Sequence, residues 1–354
     1  MMPYWMIFLF PLLGTLLPIR GDSHVRALGL ALFAIIAALM IGLRFEVGGD
    51  WGTYLLYTEM IEAMSFRESI ELNDVGYMAI NWVSVQLGFG IAGVNLVCGS
   101  LMAYGILRFC RQQPLPWLGL LITTPYLLIV VGMGYSRQGV ALGIIFWALS
   151  NWKKNNFFKY TSLVLLAALF HKSAIVMFIF GVFIKTRYHQ AKRLLILIVL
   201  FLGYWYGSGY ITTGQFRAYF IVGYDSSGGM VRVLMNVAPS LLIVLFYKKF
   251  SQFEDFRLWL MMAAASFFTL VSVFWLSAAT DRFALYLAPI QVAVLTRIPV
   301  MIADPFLRTL VVFLIILMYS LVLFVWLNFG VHAYSWLPYK TIFEIGNHIE
   351  VLGE

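Results

Sequence analysis

Charge is scarce in this chain of 354 residues. Asp, Glu, Lys and Arg together make up 11% of it and hydrophobic residues 62%, where a soluble globular domain carries about 25% charged residues. With a mean hydropathy of +0.88, the shortage excludes a water-soluble enzyme, a disordered chain and a coiled coil. The apolar–polar alternation of an outer-membrane barrel is missing too, and an open sheet would leave backbone groups unpaired in lipid. Only two cysteines occur, Cys98 and Cys110, both in or beside apolar stretches, which excludes a disulfide framework and a CxxC metal site. No DxD, HExxH, GxGxxG or P-loop motif is present, and Gly134-Tyr135-Ser136-Arg137 lacks the frame of a serine nucleophile. What remains is an all-α polytopic membrane protein, read as a single integral membrane domain over 1–354.

Apolar runs fall at about 3–19, 27–43, 90–107, 115–133, 138–152, 160–170, 173–184, 194–206, 231–247, 258–277, 283–296 and 309–327. They give about twelve transmembrane or partly inserted helices, several shorter than the roughly 20 residues of a full span. The first run ends at Pro18-Ile19-Arg20 with no basic segment before it, and reads as a retained span. Residues 74–88 are aromatic and half apolar, which suits interfacial helices within an outer loop at 44–89.

Lys and Arg orient the chain. The segments 20–26, 108–113, 153–159, 185–193, 248–257 and 297–308 hold sixteen basic and four acidic residues, and everything else holds eight basic and twelve acidic. The net charge of +8 is therefore a topology signal and no mark of nucleic acid. The basic segments lie inside; both termini, an outer loop at 207–230 and the tail at 328–354 lie outside. Residues 160–184 start and end inside, with His171-Lys172-Ser173 as their polar island. Eleven or twelve residues on each side reach only about 16–18 Å at 1.5 Å per residue. This predicts a broken hairpin with His171 at its tip, within the membrane or near its outer face.

With that orientation, Arg44, Glu46 and Asp50 follow the second span, Arg137 opens the 138–152 helix, Lys172 tops the hairpin, and Arg232 opens the 231–247 helix. Asp281-Arg282 opens the 283–296 helix, with Tyr286 one turn in. A cation at a helix N-terminus is unfavourable alone. It becomes favourable when an anion binds both the cation and the free backbone N–H groups, and arginine suits two-point contact with phosphate oxygens. A lipid-borne diphosphate is the natural ligand. Each residue also has a plainer reading: Arg232 as a headgroup anchor, Glu46 and Asp50 as partners of Arg44, His171 as an interfacial side chain. Polar groups flanked by long apolar runs are costly, which favours a functional reading for His171 and Lys172.

The ordered series Arg44…Gly49-Asp50…Tyr54, Ser136-Arg137-Gln138, Phe170-His171-Lys172-Ser173-Ala174, Arg282…Tyr286 and Pro338-Tyr339 resembles the EpsG-like family of Wzy-type polysaccharide polymerases. The resemblance implies a GT-C-like glycosyltransferase of the bacterial inner membrane with its site facing the periplasm or exterior. It would join oligosaccharide repeat units carried on undecaprenyl diphosphate into O-antigen, capsule or exopolysaccharide. It points at Arg44, Asp50, Arg137, His171 and Arg282; Lys172, Arg232 and Tyr286 are added from topology. His171 or Asp50 would take the acceptor hydroxyl proton, and the cations would stabilise the departing diphosphate. One-step displacement inverts the anomeric centre. The energy is already in the lipid carrier, so neither a metal nor a cofactor is expected. Expected partners are the lipid-linked donor and acceptor, membrane lipids and a chain-length regulator protein. A ligase using the same donor, a lipid-linked glycan flippase and a histidine-dependent acyltransferase are the rival readings.

The charge asymmetry has a direct check. Reporter fusions after residues 113, 250 and 303 should read cytoplasmic, and fusions after 60 and 345 should read exterior. The same side for 60 and 250 would contradict the orientation.

Overall fold

The computed structural model describes residues 1–17, 23–150, 152, 156–181, 184, 196 and 228–344. The inner segment 185–193, all of the expected span at 194–206 but residue 196, and nearly all of the outer loop at 207–230 lie outside the described residues. Among those described the chain is helical and has no strand longer than an isolated bridge. It divides into two compact units. The first comprises Met1–Trp147, Leu166–Lys172 and Thr296–Glu354, and the second Ala148–Leu165 and Ser173–Leu295.

Among the described residues four helices are long and apolar enough to cross a membrane: Ser23–Gly42, Gly90–Cys110, Pro116–Gly134 and Pro305–Phe329. The pair Ser277–Leu287 and Pro289–Met301, bent by 43°, would make a fifth if it crosses as one. Shorter apolar helices account for most of the other expected runs, among them Met2–Leu16, Phe157–Phe170, Gly229–Leu245 and Phe256–Ser272. Two boundaries differ from expectation. The run starting near 258 stops at Ser272, and the next helix begins at Ser277. Asp281 and Arg282 therefore sit in the second turn of Ser277–Leu287 and do not open a helix. The backbone N–H groups of the first turn lie behind them, so the helix-end argument does not apply to Arg282.

In the first unit, Pro116–Gly134 is the central helix. Within the best apolar window of each, 94% of its residues are buried inside the protein, against 33% for Ser23–Gly42 and 28% for Pro305–Phe329. The two outer helices present mostly apolar surface to lipid. Pro125, which has no N–H to donate, lies in the π-helical stretch Thr124–Val131. Pro305–Phe329 starts with Asp304 accepting from Leu307 N at 2.7 Å and with proline in its first turn. Its 25 residues reach about 37 Å at 1.5 Å per residue, which exceeds the hydrocarbon core.

Gly90–Cys110 meets Ser136–Ser150 at a crossing where two glycines face each other. A Cβ on Gly105 would stand 1.8 Å from Gly143 O, and one on Gly143 would stand 2.3 Å from Met102 Cα. Small residues let the backbones touch, as membrane helix pairs require in the absence of a hydrophobic drive between them. Between the Ser23–Gly42 and Gly90–Cys110 helices lie three short ones, Trp51–Ile61, Phe66–Glu71 and Val75–Gln86. Phe66–Glu71 begins with a capping box in which Ser65 and Glu68 satisfy each other's backbone N–H.

After Pro305–Phe329 the chain returns to the loop that follows Ser23–Gly42. Ile342 N donates to Leu43 O at 3.0 Å, Phe45 N to Lys340 O at 2.9 Å, and Gly48 N to Ser335 O at 2.8 Å. Trp336 is fully buried, its Nε1 donating to Ile129 O at 3.0 Å and its own carbonyl accepting from Tyr4 OH at 2.6 Å.

In the second unit, Gly229–Leu245 packs on its neighbours through Val233, Val273 and Ala284. Asn236 sits at the centre, donating to Ala284 O and accepting from Gln291 Nε2, both at 2.7 Å. The chain around 157–181 folds back on itself: Tyr160 OH donates to Met177 O at 2.6 Å, and Gly181 lies against the Tyr160 ring.

Gly105→Ala should destabilise the protein by about 1–3 kcal/mol through overpacking. Gly52→Ala, where no atom lies within 4 Å of the added Cβ, should be neutral or slightly stabilising. Thermal unfolding in detergent would show this, and equal melting of the two variants would contradict the close crossing.

Candidate functional site

The site in the first unit begins with Arg44. The Ser23–Gly42 helix ends two residues before it, and its side chain folds back against that end. Nη1 donates to Ile41 O, Nε to Val47 O at 3.0 Å, and Nη2 to Asn95 Oδ1 at 2.9 Å and to Ser136 Oγ at 2.8 Å. The residue is 0% exposed. A cation at a helix C-terminus faces the negative end of the dipole, so this placement is favourable. Its guanidinium is used inside the protein, where buried acceptors take the donors that a phosphate would need. Arg44 joins a helix end, the following loop, Asn95 and Ser136.

Gly48 closes this loop. Its φ of +113° is open to glycine, and a Cβ there would meet Met133 O at 2.1 Å. Asp50 follows, half-buried, immediately before the Trp51–Ile61 helix. Its Oδ2 accepts from Tyr54 OH at 3.3 Å. Burial and the Asp50 carboxylate push the Tyr54 phenol up, and Arg137 opposes them. Glu46, for which pairing with Arg44 was the plainer reading, pairs with Lys340 at 2.6 Å.

Arg137 is the second residue of Ser136–Ser150. Its neighbour Ser136 faces Arg44, while Arg137 reaches the other way. Nη1 donates to Asn73 Oδ1 at 2.6 Å and to Asp74 Oδ2 at 3.0 Å, and the buried Nε has no hydrogen-bond partner. Asn73 is held by its amide donating to Tyr57 OH at 2.7 Å and by its Oδ1 accepting from Asp74 N at 2.9 Å. Asp74 directly precedes the Val75–Gln86 helix and its side chain is 5% exposed. Burial pushes its carboxyl above the ordinary carboxylate range, against the downward pull of Arg137 and Lys172, and the Lys172 backbone N–H donates to it. Asp50, Tyr54, Asn73, Asp74, Arg137 and Lys172 thus form one connected network. His171, half-buried, sits at the turn beside Lys172.

The second unit holds the remaining candidates. Arg232 makes a two-point pair with Asp281, Nε to Oδ1 and Nη2 to Oδ2, the latter at 2.6 Å, with side chains 15% and 13% exposed. Both oxygens of the carboxylate are used, so this arginine reads as a closed structural pair. Arg282, next in the chain, is exposed. Tyr286 is fully buried, with Ser173 Oγ donating to its hydroxyl at 3.2 Å.

Asn73, Asp74 and Asn95 were not singled out by sequence reasoning. Asp74 carries a usable sequence signal, an acid immediately before a helix. Among the described residues no group of three or more His, Cys, Asp or Glu could hold a metal ion.

A family model, the EpsG family, matches residues 27–341, which include every residue of this network and end at Thr341, the bridge partner of Arg44. The chain belongs to the EpsG family. EpsG is a Wzy-like polymerase family, and its model spans both compact units of this chain. No curated protein and no solved structure matches it.

Arg44 gives a prediction that separates folding from chemistry in an EpsG chain. Arg44→Ala leaves four buried acceptors without their donor, at about 1–3 kcal/mol for each that stays unfilled. The yield of monodisperse, folded protein should fall sharply. Normal yield and melting with activity alone lost would return Arg44 to a ligand-binding role.

Proposed function

We propose that this EpsG-family chain is a bacterial inner-membrane glycosyltransferase that polymerises oligosaccharide repeat units carried on a lipid diphosphate, at a site on the outer face. The observation that carries the reading is the Arg137 cluster. A half-buried arginine at the start of a long helix shares a network with Lys172 and two carboxylates, inside a protein that otherwise avoids charge. Ionisable groups held at such depth mark function. Twelve crossings and a GT-C-like architecture belong to the same proposal.

In the proposed step, the acceptor hydroxyl oxygen attacks the anomeric carbon of the donor. The bond from that carbon to the diphosphate oxygen breaks, and the electron pair leaves with the diphosphate. Attack opposite the leaving group inverts the centre. Arg137, at the N-terminal end of Ser136–Ser150, places cationic N–H groups and helix N–H groups on one side of the departing anion. Lys172 adds charge beside it. His171 takes the hydroxyl proton, and Asp50, held by Tyr54, is the second group able to do so. Arg44 takes no part in the step and keeps Ser136, and with it Arg137, in place.

The test uses a deletion strain complemented with variants and gel analysis of its surface polysaccharide. His171→Ala should express normally and lose about 10²–10⁴-fold in polymerisation, the loss of a general base. Arg137→Lys should fail nearly as badly as Arg137→Ala, because an ammonium lacks the planar two-point contact. Full activity in His171→Gln would move the base to Asp50. A normal polymer ladder from Arg137→Ala would overturn the reading, and transfer of a single unit without a ladder would indicate a ligase.

A further inference from the structure

The two partly buried arginine–carboxylate pairs differ in how they are closed. Arg232 presents its Nε–Nη2 edge to both oxygens of Asp281. Arg137 gives Asp74 only Nη1, and that nitrogen is shared with Asn73 Oδ1. The Nε of Arg137 is buried and has no hydrogen-bond partner. The Tyr54 hydroxyl also hydrogen-bonds to the Arg137 side chain. A guanidinium has five N–H donors in a rigid fork, and Asp74 holds it through one nitrogen, without the two-point contact that Arg232 makes.

Asp74 accepts from Arg137 Nη1 and from the Lys172 backbone N–H. These are donors that a phosphoryl oxygen would use in its place.

We propose that Asp74 is a resident counter-ion, competing with the phosphate-bearing ligand for Arg137 and Lys172 and so limiting how tightly the spent lipid diphosphate is held. This rests on the function proposed above. In a polymerase the leaving group must depart after each transfer, and product release sets the turnover of many enzymes. An uncompensated pair of cations would hold a diphosphate too firmly. A carboxylate already in place makes the exchange nearly neutral in charge. Asp74 is a positioning residue in this account and touches no reacting atom.

The experiment measures binding of inorganic pyrophosphate to the purified full chain in nanodiscs, for the wild type, Asp74→Asn, Arg137→Gln and the double variant. Asp74→Asn keeps the size of the side chain and one acceptor oxygen and removes the competing charge. Its pyrophosphate affinity should rise about 10-fold or more, the scale of one charge-assisted contact. Arg137→Gln should abolish that gain in the double variant. Equal or weaker binding by Asp74→Asn would overturn the proposal, as would a gain that survives Arg137→Gln or no binding by any form. Melting temperatures of the four proteins exclude misfolding as the cause of a loss; if Asp74→Asn melts low, Asp74→Ser is measured in its place and must show the same gain. Polymer formation from lipid-linked substrate, followed in the same preparations, tests the enzymatic reading separately: tighter pyrophosphate binding with no polymer from the wild type would keep the counter-ion and discard the polymerase.

Discussion

A guanidinium buried in an apolar protein must find its acceptors inside it, and the first unit is arranged around that requirement at Arg44. Desolvating a cation is costly unless its donors are satisfied. Here the acceptors come from four places: the last turn of Ser23–Gly42, Val47 in the following loop, Asn95 on Gly90–Cys110, and Ser136 at the head of Ser136–Ser150. One side chain thereby fixes three helices and a loop relative to one another. The C-terminal tail closes over the same loop through Lys340, Thr341 and Ser335. Because Ser136 is held from inside, Arg137 is directed at Asn73 and Asp74. The geometry around Arg137 thus follows from the contacts made at Arg44.

The arginines and lysines of this chain fall into distinct kinds once their partners are known. Arg44 is neutralised by dipoles alone. Arg232 is neutralised by one carboxylate in a complete two-point pair. Arg137 and Lys172 share a network with Asp50 and Asp74, which is balanced in formal charge but leaves one donor of Arg137 unfilled. The cations expected at helix ends thus divide: Arg137 and Lys172 share a network in the first unit, Arg232 is paired with Asp281 in the second, and Arg282 is exposed.

Much of this was legible in the sequence. The longest apolar runs, such as 27–43, 90–107, 115–133 and 309–327, read directly as helices, because length in lipid is a one-dimensional constraint. The link between the Arg44 loop and the Ser136-Arg137 turn was not legible, since it depends on Asn95, a single amide in the middle of an apolar helix. Nor was the role of Trp336, which lies in the tail assigned to the outside and is fully buried. Helix ends near 272–277 were misread because the run stays apolar through Trp275-Leu276, while the backbone breaks there and restarts at Ser277. That error placed Arg282 at a helix start it does not occupy. The candidate residues Asp50, Arg137, His171 and Lys172 lie in one unit, but the carboxylate that Arg137 contacts, Asp74, came from the structure.

The central claim is that the energy for glycan transfer comes from a lipid-linked diphosphate sugar handled at the Arg137 site. It is tested most directly by reconstituting the purified chain in vesicles with a synthetic lipid-diphosphate oligosaccharide as the sole glycosyl source. The account predicts a ladder of products differing by one repeat unit, with release of the lipid diphosphate in step with each bond formed. Transfer only when a nucleotide sugar is supplied, with the lipid-linked donor left intact, would contradict it.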